Sequence, residues 1–198
     1  MNKKGCLIIG GALVLIILLV GGYLVGVYNS MVAKEQGVKQ KWSQVENQYQ
    51  RRTDLIPNLV NTVKGYAKHE KETLTEVIEA RSKATSVNID PTKLSPEAIK
   101  QFQAAQSGLS QALSKLMVVV ERYPDLKANQ NFLQLQAQLE GTENRIAVER
   151  KRYNEAVQEY NTYLKKFPNV IFARMFGFNE YPYFEAEKGA EKAPEVKF

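Results

Sequence analysis

Few residues in this chain could do chemistry. His69 is the single histidine and stands beside Glu70. A zinc-protease helix needs a second histidine on the same face, and none exists here. His69 therefore reads as a solvated histidine on a helix face, not as a metal ligand or a general base. The single cysteine rules out an intrachain disulfide. No Gly-x-Ser-x-Gly elbow and no phosphate-cradling glycine loop occurs. A serine nucleophile would have only His69 to turn to. The sequence thus offers no catalytic residue, no metal site and no cofactor site.

Arg52 is the residue that stands out. It interrupts an apolar series that steps by alternating fours and threes through Val38, Trp42, Val45, Tyr49, Ile56, Leu59, Val63 and Tyr66. Such a 3.5-residue repeat makes the seam of a left-handed helical bundle or coiled coil. A charge on that seam needs partners, because an unpaired buried charge is expensive. Asp54, Glu143 and Glu149 are the available acids, and Glu149 itself falls on a seam position. Asn58, Asn144, Asn154 and Asn161 could complete a polar network. Two readings follow. The network fixes register and topology, as buried polar residues do in coiled coils, or it floors a polar groove for a peptide or a lipid head group.

Three long helices have to position these residues. The first is predicted from about Asn29 to about Arg81. Pro57 removes the hydrogen bond to the carbonyl of Thr53 and should kink this helix. The heptad phase crosses Pro57 intact, which favours one kinked helix over a fresh start capped by Asp54. Beyond Tyr66 the phase slips by one, to Ala67, Leu74 and Ile78. Residues 84–95 read as a loop of turn formers, among them Ser86, Asn88, Asp90, Pro91 and Thr92. Ser95-Pro96-Glu97 starts the second helix with a capping serine, a first-position proline and an early acid. Its seam is Ile99, Phe102, Leu109, Leu113, Leu116, Val120 and Tyr123, and Pro124-Asp125 ends it. The third begins near Ala128-Asn129, with a seam of Phe132, Leu135, Leu139, Thr142, Ile146, Glu149, Tyr153, Ala156 or Val157, Tyr160 and Leu164. Phe167-Pro168 closes it. A short helix fits between Asn169 and the stop at Gly177. At 1.5 Å per residue the first, second and third helices would be roughly 80, 40 and 55 Å long. The fold class is all-α: an elongated antiparallel bundle of three long helices plus a short C-terminal helix.

Ahead of the bundle, residues 6–28 carry no charge. They are long enough to cross a hydrocarbon core of roughly 30 Å. Tyr23, Val25 and Val27 extend the apolar run past any short signal region, so it reads as an uncleaved transmembrane anchor. Cys6 precedes the apolar run, which sets aside a lipoprotein site and makes it a membrane-edge residue. Lys3 and Lys4 favour an N-terminus inside the cytoplasm and a body outside it, against the pull of Lys34, Lys39 and Lys41. Gly22 and Gly26 have the small-residue spacing that lets two membrane helices approach closely. The net charge of +6 is spread among interspersed acids and bases. That is the pattern of solvated helix faces and excludes a nucleic-acid footprint. Residues 1–5 form an N-terminal stub and residues 186–198 a disordered tail.

The C-terminal aromatics Phe167, Phe172, Phe176, Phe178, Tyr181, Tyr183 and Phe184 allow three roles. They could cap the bundle, form a subunit contact or dip into the membrane surface. The last six of them, with Gly22 and Gly26, are the candidate oligomer contacts.

Several rare combinations recur in order: Tyr28-Asn29, Trp42, the run from Arg51 through Asp54, Pro57 and Asn58 to Val60, and Val63-Lys64-Gly65-Tyr66-Ala67. His69-Glu70, Thr142-Glu143-Asn144, Tyr153-Asn154, Tyr160-Asn161 and the aromatic end follow. Together they resemble the LemA family of bacterial single-span membrane proteins, over about residues 28–185. The resemblance implies a helical bundle, residues 29–185, behind an N-terminal membrane helix. It implies no reaction or ligand.

The expected function is a non-enzymatic protein of the bacterial cytoplasmic (inner) membrane, a self-associating scaffold or partner-binding adaptor. Its partners would be the lipid bilayer, further copies of itself and possibly another envelope protein. The alternative is a sensor or regulator that binds a small polar ligand or lipid head group near Arg52. Self-association draws on the long first helix, whose seam outruns the second helix and so lacks an obvious cover within one chain.

Overall fold

The computed structural model describes the backbone of residues 3–185 and the side chains of residues 10–185. The side chain of Cys6 and the tail 186–198 lie outside the described residues. Among the described residues six helices follow one another: α1 (Lys3–Tyr66), α2 (Lys71–Ser86), α3 (Pro96–Val120), α4 (Pro124–Lys127), α5 (Gln130–Lys165) and α6 (Asn169–Phe176). No strand occurs among the described residues. The protein is all-α with an N-terminal helix long and apolar enough to cross a membrane.

The chain divides into two compact units. One joins Met1–Val38 with Ala156–Glu180, the other Lys39–Glu155 with Tyr181–Phe198. In the first, Val27 and Met31 of α1 are buried, as are Tyr160 and Leu164 of α5. Lys34 pairs with Glu159 and lies 5.4 Å from the Tyr163 ring. Burial pushes the Tyr160 hydroxyl pKa up, with Glu35 adding to the effect. Gly177, with a φ of 77°, ends α6 in the left-handed conformation glycine adopts without strain.

The second unit holds the main apolar cluster. Ile56, Leu59 and Val63 of α1 meet Leu74 and Val77 of α2, Leu109 and Leu116 of α3, and Phe132 and Leu139 of α5. The predicted serine cap forms, and an asparagine cap joins it. The Ser95 hydroxyl accepts from the Ala98 amide at 3.1 Å, and Asn129 caps α5 by accepting from the Phe132 amide at 3.1 Å. Asp90 closes its turn by accepting from the Thr92 amide and hydroxyl, which holds its carboxyl below the usual range.

Four expectations need correction. No break separates the apolar segment from the first helix, since α1 is continuous from Lys3. The first helix does not reach Arg81. It stops at Tyr66, and a turn at 67–70 starts α2, which runs on to Ser86. That turn is fixed from outside: Glu70 accepts from Arg122 and from the Tyr123 hydroxyl, each at 3.0 Å. The turn lets α2 fold back and bury Val77, leaving Ile78 exposed. Pro124 opens the one-turn α4 instead of ending a helix, a position proline tolerates because its missing N–H has no partner there. Lastly, the early seam of α1 is not uncovered: Val27, Met31 and Val38 are all buried within the chain.

Pro57 stays inside α1, as its phase predicted. The Thr53 carbonyl it leaves free is taken by Arg81 of α2, whose Nε donates to it at 2.9 Å. A donor from a neighbouring helix thus replaces the bond that the ring removes.

Candidate functional site

Arg52 sits on the buried face of α1 because the heptad puts it there. Its residue is only 2 % exposed. One guanidinium nitrogen, Nη1, donates to the Glu143 carboxylate at 2.8 Å and to the Ser110 hydroxyl at 3.0 Å. The other, Nη2, donates to the Gln106 side-chain oxygen at 2.6 Å and to the Gln106 carbonyl at 3.2 Å. Gln106 is itself buried and passes the contact on, its amide donating to the Ala84 carbonyl of α2 at 3.3 Å. The Tyr49 ring stacks one turn away, 5.1 Å from the guanidinium carbon. One charged side chain of α1 is therefore tied to α3 and α5 directly and to α2 through Gln106.

Of the acids and amides expected in this network, Glu143 alone joins it. Asp54 is exposed and accepts from its helix neighbour Gln50 at 2.7 Å. Glu149 pairs with Arg152 at 2.6 Å, one turn along its own helix. Asn58 and Asn144 are exposed. Asn161 is buried in the other unit, and Asn154 serves the C-terminal segment. The physical reason is rotational. Only residues facing the α1 seam at the level of Arg52 can reach it, and Asp54, two residues on, points elsewhere.

Gln106 and Ser110 belong to the network and were passed over in the sequence. A signal for Gln106 exists. A step of four from Phe102 and three to Leu109 lands on position 106, so a polar residue occupies the α3 seam where Arg52 occupies that of α1.

The network floors an open groove of about 760 Å³. Gln103, Ser107, Gln111 and Ser114 of α3 line it with hydroxyls and amides, and Lys100, Lys115 and Arg150 add cations. Glu143 and Glu185 supply opposing charge. A smaller hollow of about 330 Å³ shares Tyr49 and Gln106 and holds Glu46. Burial raises the Glu46 carboxyl pKa. These surfaces can hold a polar or anionic segment. Among the described residues no group of His, Cys, Asp and Glu is placed to hold a metal.

The aromatic end splits in two. In the second unit Phe184 is buried, stacks on Trp42 at 5.6 Å and meets Tyr153 edge-on. Asn154 clamps its backbone from both sides, donating to the Phe184 carbonyl at 3.0 Å and accepting from its amide at 2.9 Å. The Tyr153 hydroxyl donates to the Pro182 carbonyl at 3.0 Å, and burial pushes its pKa upward. Tyr181 is also buried, so neither it nor Phe184 is available as a subunit contact. Tyr183, Phe176, Phe172 and Phe178 remain exposed or half-buried. Gly22 and Gly26 have open space on their Cβ sides.

A profile of the LemA family matches residues 41–198. The chain belongs to the LemA family. Two relatives are similar to it over most of its length. Magnetosome protein MamQ 1 of Paramagnetospirillum magneticum is 29 % identical over 184 residues, covering 84 % of this chain and 67 % of that protein. Protein LemA of Metamycoplasma hominis is 24 % identical over 164 residues, covering 83 % of this chain and 71 % of that protein. With its apolar N-terminal helix, this LemA-family chain is a membrane-associated helical protein. Neither the family description nor these relatives' names carry an enzymatic activity.

Proposed function

We propose that this protein is a non-enzymatic adaptor of the bacterial cytoplasmic membrane, with its N-terminus inside and its helical body outside the cytoplasm. The groove above Arg52 receives a polar segment of another envelope protein. One observation carries this reading: the groove is open and lined by side-chain amides, hydroxyls and charges of both signs. A surface of that kind pairs with an extended chain through many exchangeable hydrogen bonds.

The test is a photoreactive amino acid at Ser107 in intact cells. A cross-link to a second envelope protein, lost on replacing Lys100 and Lys115 with glutamate, is the expected result. Cross-linking to nothing but lipid would sink the adaptor reading. Self-association is a companion reading, favoured by the open faces of Gly22 and Gly26. Native mass in mild detergent checks it: a monomer at every concentration rules it out. The sensor reading rests on Lys100, Lys115 and Arg52 lying in one groove, a set that also suits a small anion. Isothermal titration with inorganic phosphate distinguishes it from the adaptor reading.

A further inference from the structure

Helix α6 leaves apolar side chains uncovered. Its Asn169 and Ala173 are buried, and the Asn169 amide donates to the Tyr163 carbonyl at 3.1 Å, so the helix is pinned by one side. On the other side Ile171 is 54 % and Met175 62 % exposed. Phe167, just ahead of the helix, is 82 % exposed. Arg174 and Lys166 are exposed beside them. An apolar face with basic residues along it is the pattern of a helix that lies in a membrane interface.

Its position decides what covers that face. Tyr28 is the last residue of the uncharged apolar run of α1. Its ring meets Phe176 edge-on at 5.2 Å and Phe178 at 5.7 Å. Tyrosine at the end of a spanning segment sits at head-group level. Residues in ring contact with it occupy that level too, and the uncovered face of α6 continues a surface already in lipid.

We propose that α6 is a second membrane contact, lying along the bilayer surface with Ile171 and Met175 among the acyl chains and Arg174 at the phosphates. The chain would then hold the membrane at two points, its N-terminal span and this C-terminal helix. This goes beyond the adaptor reading and does not depend on it.

The test uses the full-length protein carrying Cys6→Ser, with single spin labels at Ile171→Cys or Met175→Cys. It is reconstituted in vesicles of phosphatidylcholine and phosphatidylglycerol. Collisional access to oxygen and to a water-soluble nickel chelate is measured by electron paramagnetic resonance. Leu19→Cys in the apolar run and Lys151→Cys on α5 set the lipid and water limits. The expected result is severalfold less nickel access at both α6 positions than at Lys151→Cys, with oxygen access near that of Leu19→Cys. Nickel access equal to that of Lys151→Cys overturns the proposal. Shielding from both reagents also overturns it, because the face would then be buried against protein. Two positions keep the test decisive should one label disturb α6, and circular dichroism verifies that the helices are intact.

Discussion

Two neighbouring layers of the second unit use the same helices for different ends. In one, Ile56, Leu59 and Val63 pack with Leu109, Leu116 and Phe132, side chains that any apolar partner of similar volume would satisfy. In the other, Arg52 meets Gln106, Ser110 and Glu143, partners that must stand at set positions. The apolar layer supplies most of the stability through area removed from water. The polar layer contributes little net energy, because desolvating a guanidinium offsets what its bonds return. It instead penalises every register that leaves Arg52 unmatched. The comparison teaches that the residue most conspicuous in the sequence need not be the one that holds the fold together.

The comparison breaks first at its apolar end. Leu116→Ala should cost about 3 kcal/mol, the usual loss for a fully buried leucine that leaves a cavity. Urea unfolding followed by circular dichroism in mild detergent measures it. A loss no larger than that of Arg52→Leu would overturn the division of labour.

Within the polar layer the two ends are unequal. Gln106→Leu keeps the buried charge and removes its bond to the Gln106 side-chain oxygen, so it should cost about 2 kcal/mol. Arg52→Leu should cost only about 1 kcal/mol, because Glu143, with a side chain 56 % exposed, returns to water. The double variant should cost less than the sum, and additive losses would show that the two residues do not act together.

Arg81 offers a sharper cycle. Arg81→Met strands the Thr53 carbonyl and should cost about 1 kcal/mol. In a Pro57→Ala background the alanine N–H reclaims that carbonyl, and the same change should cost close to nothing. Equal losses in both backgrounds would mean that Arg81 stabilises by packing alone.

The smallest effect concerns pH. Burial raises the folded-state pKa of Glu46, so its protonated form is the better accommodated one. Its ionisation therefore weakens the fold as pH rises from the ordinary glutamate value, about 4.3, through the raised one. Glu46→Gln should stabilise at neutral pH, with the gain fading in acid below that window. A gain of the same size at acid pH would exclude ionisation as the cause.

Much of this was legible in the amino-acid order, and for one reason: heptads report which face is buried. Trp42, Val45, Tyr49, Leu109, Leu116 and Tyr153 are buried where the repeat puts them. Arg52 was visible as a charge out of place, and Glu143 as one of the acids that could answer it. Gln106 was not, because a polar residue on a seam looks like a gap until its partner is known. The turn at 67–70 was hard to foresee because it contains neither proline nor glycine. Its marks were the one-residue slip after Tyr66 and a glutamate whose partners, Arg122 and Tyr123, lie more than fifty residues away. Asn154 could be named as an amide needing partners. That they belong to the backbone of Phe184 is a tertiary fact without a local signal.

The stacking of Phe184 on Trp42 gives the molecule its own optical gauge. The chain has a single tryptophan, and one face of its indole is roofed by the segment 181–185. The side chains of Gln103, Tyr153, Asn154 and Arg150 hold that segment by its main chain. Lifting it would open the indole to water, shift its emission to the red and expose it to iodide quenching. Whatever tugs on the C-terminal end can thus be followed in unlabelled protein, in real time, from the colour of one residue.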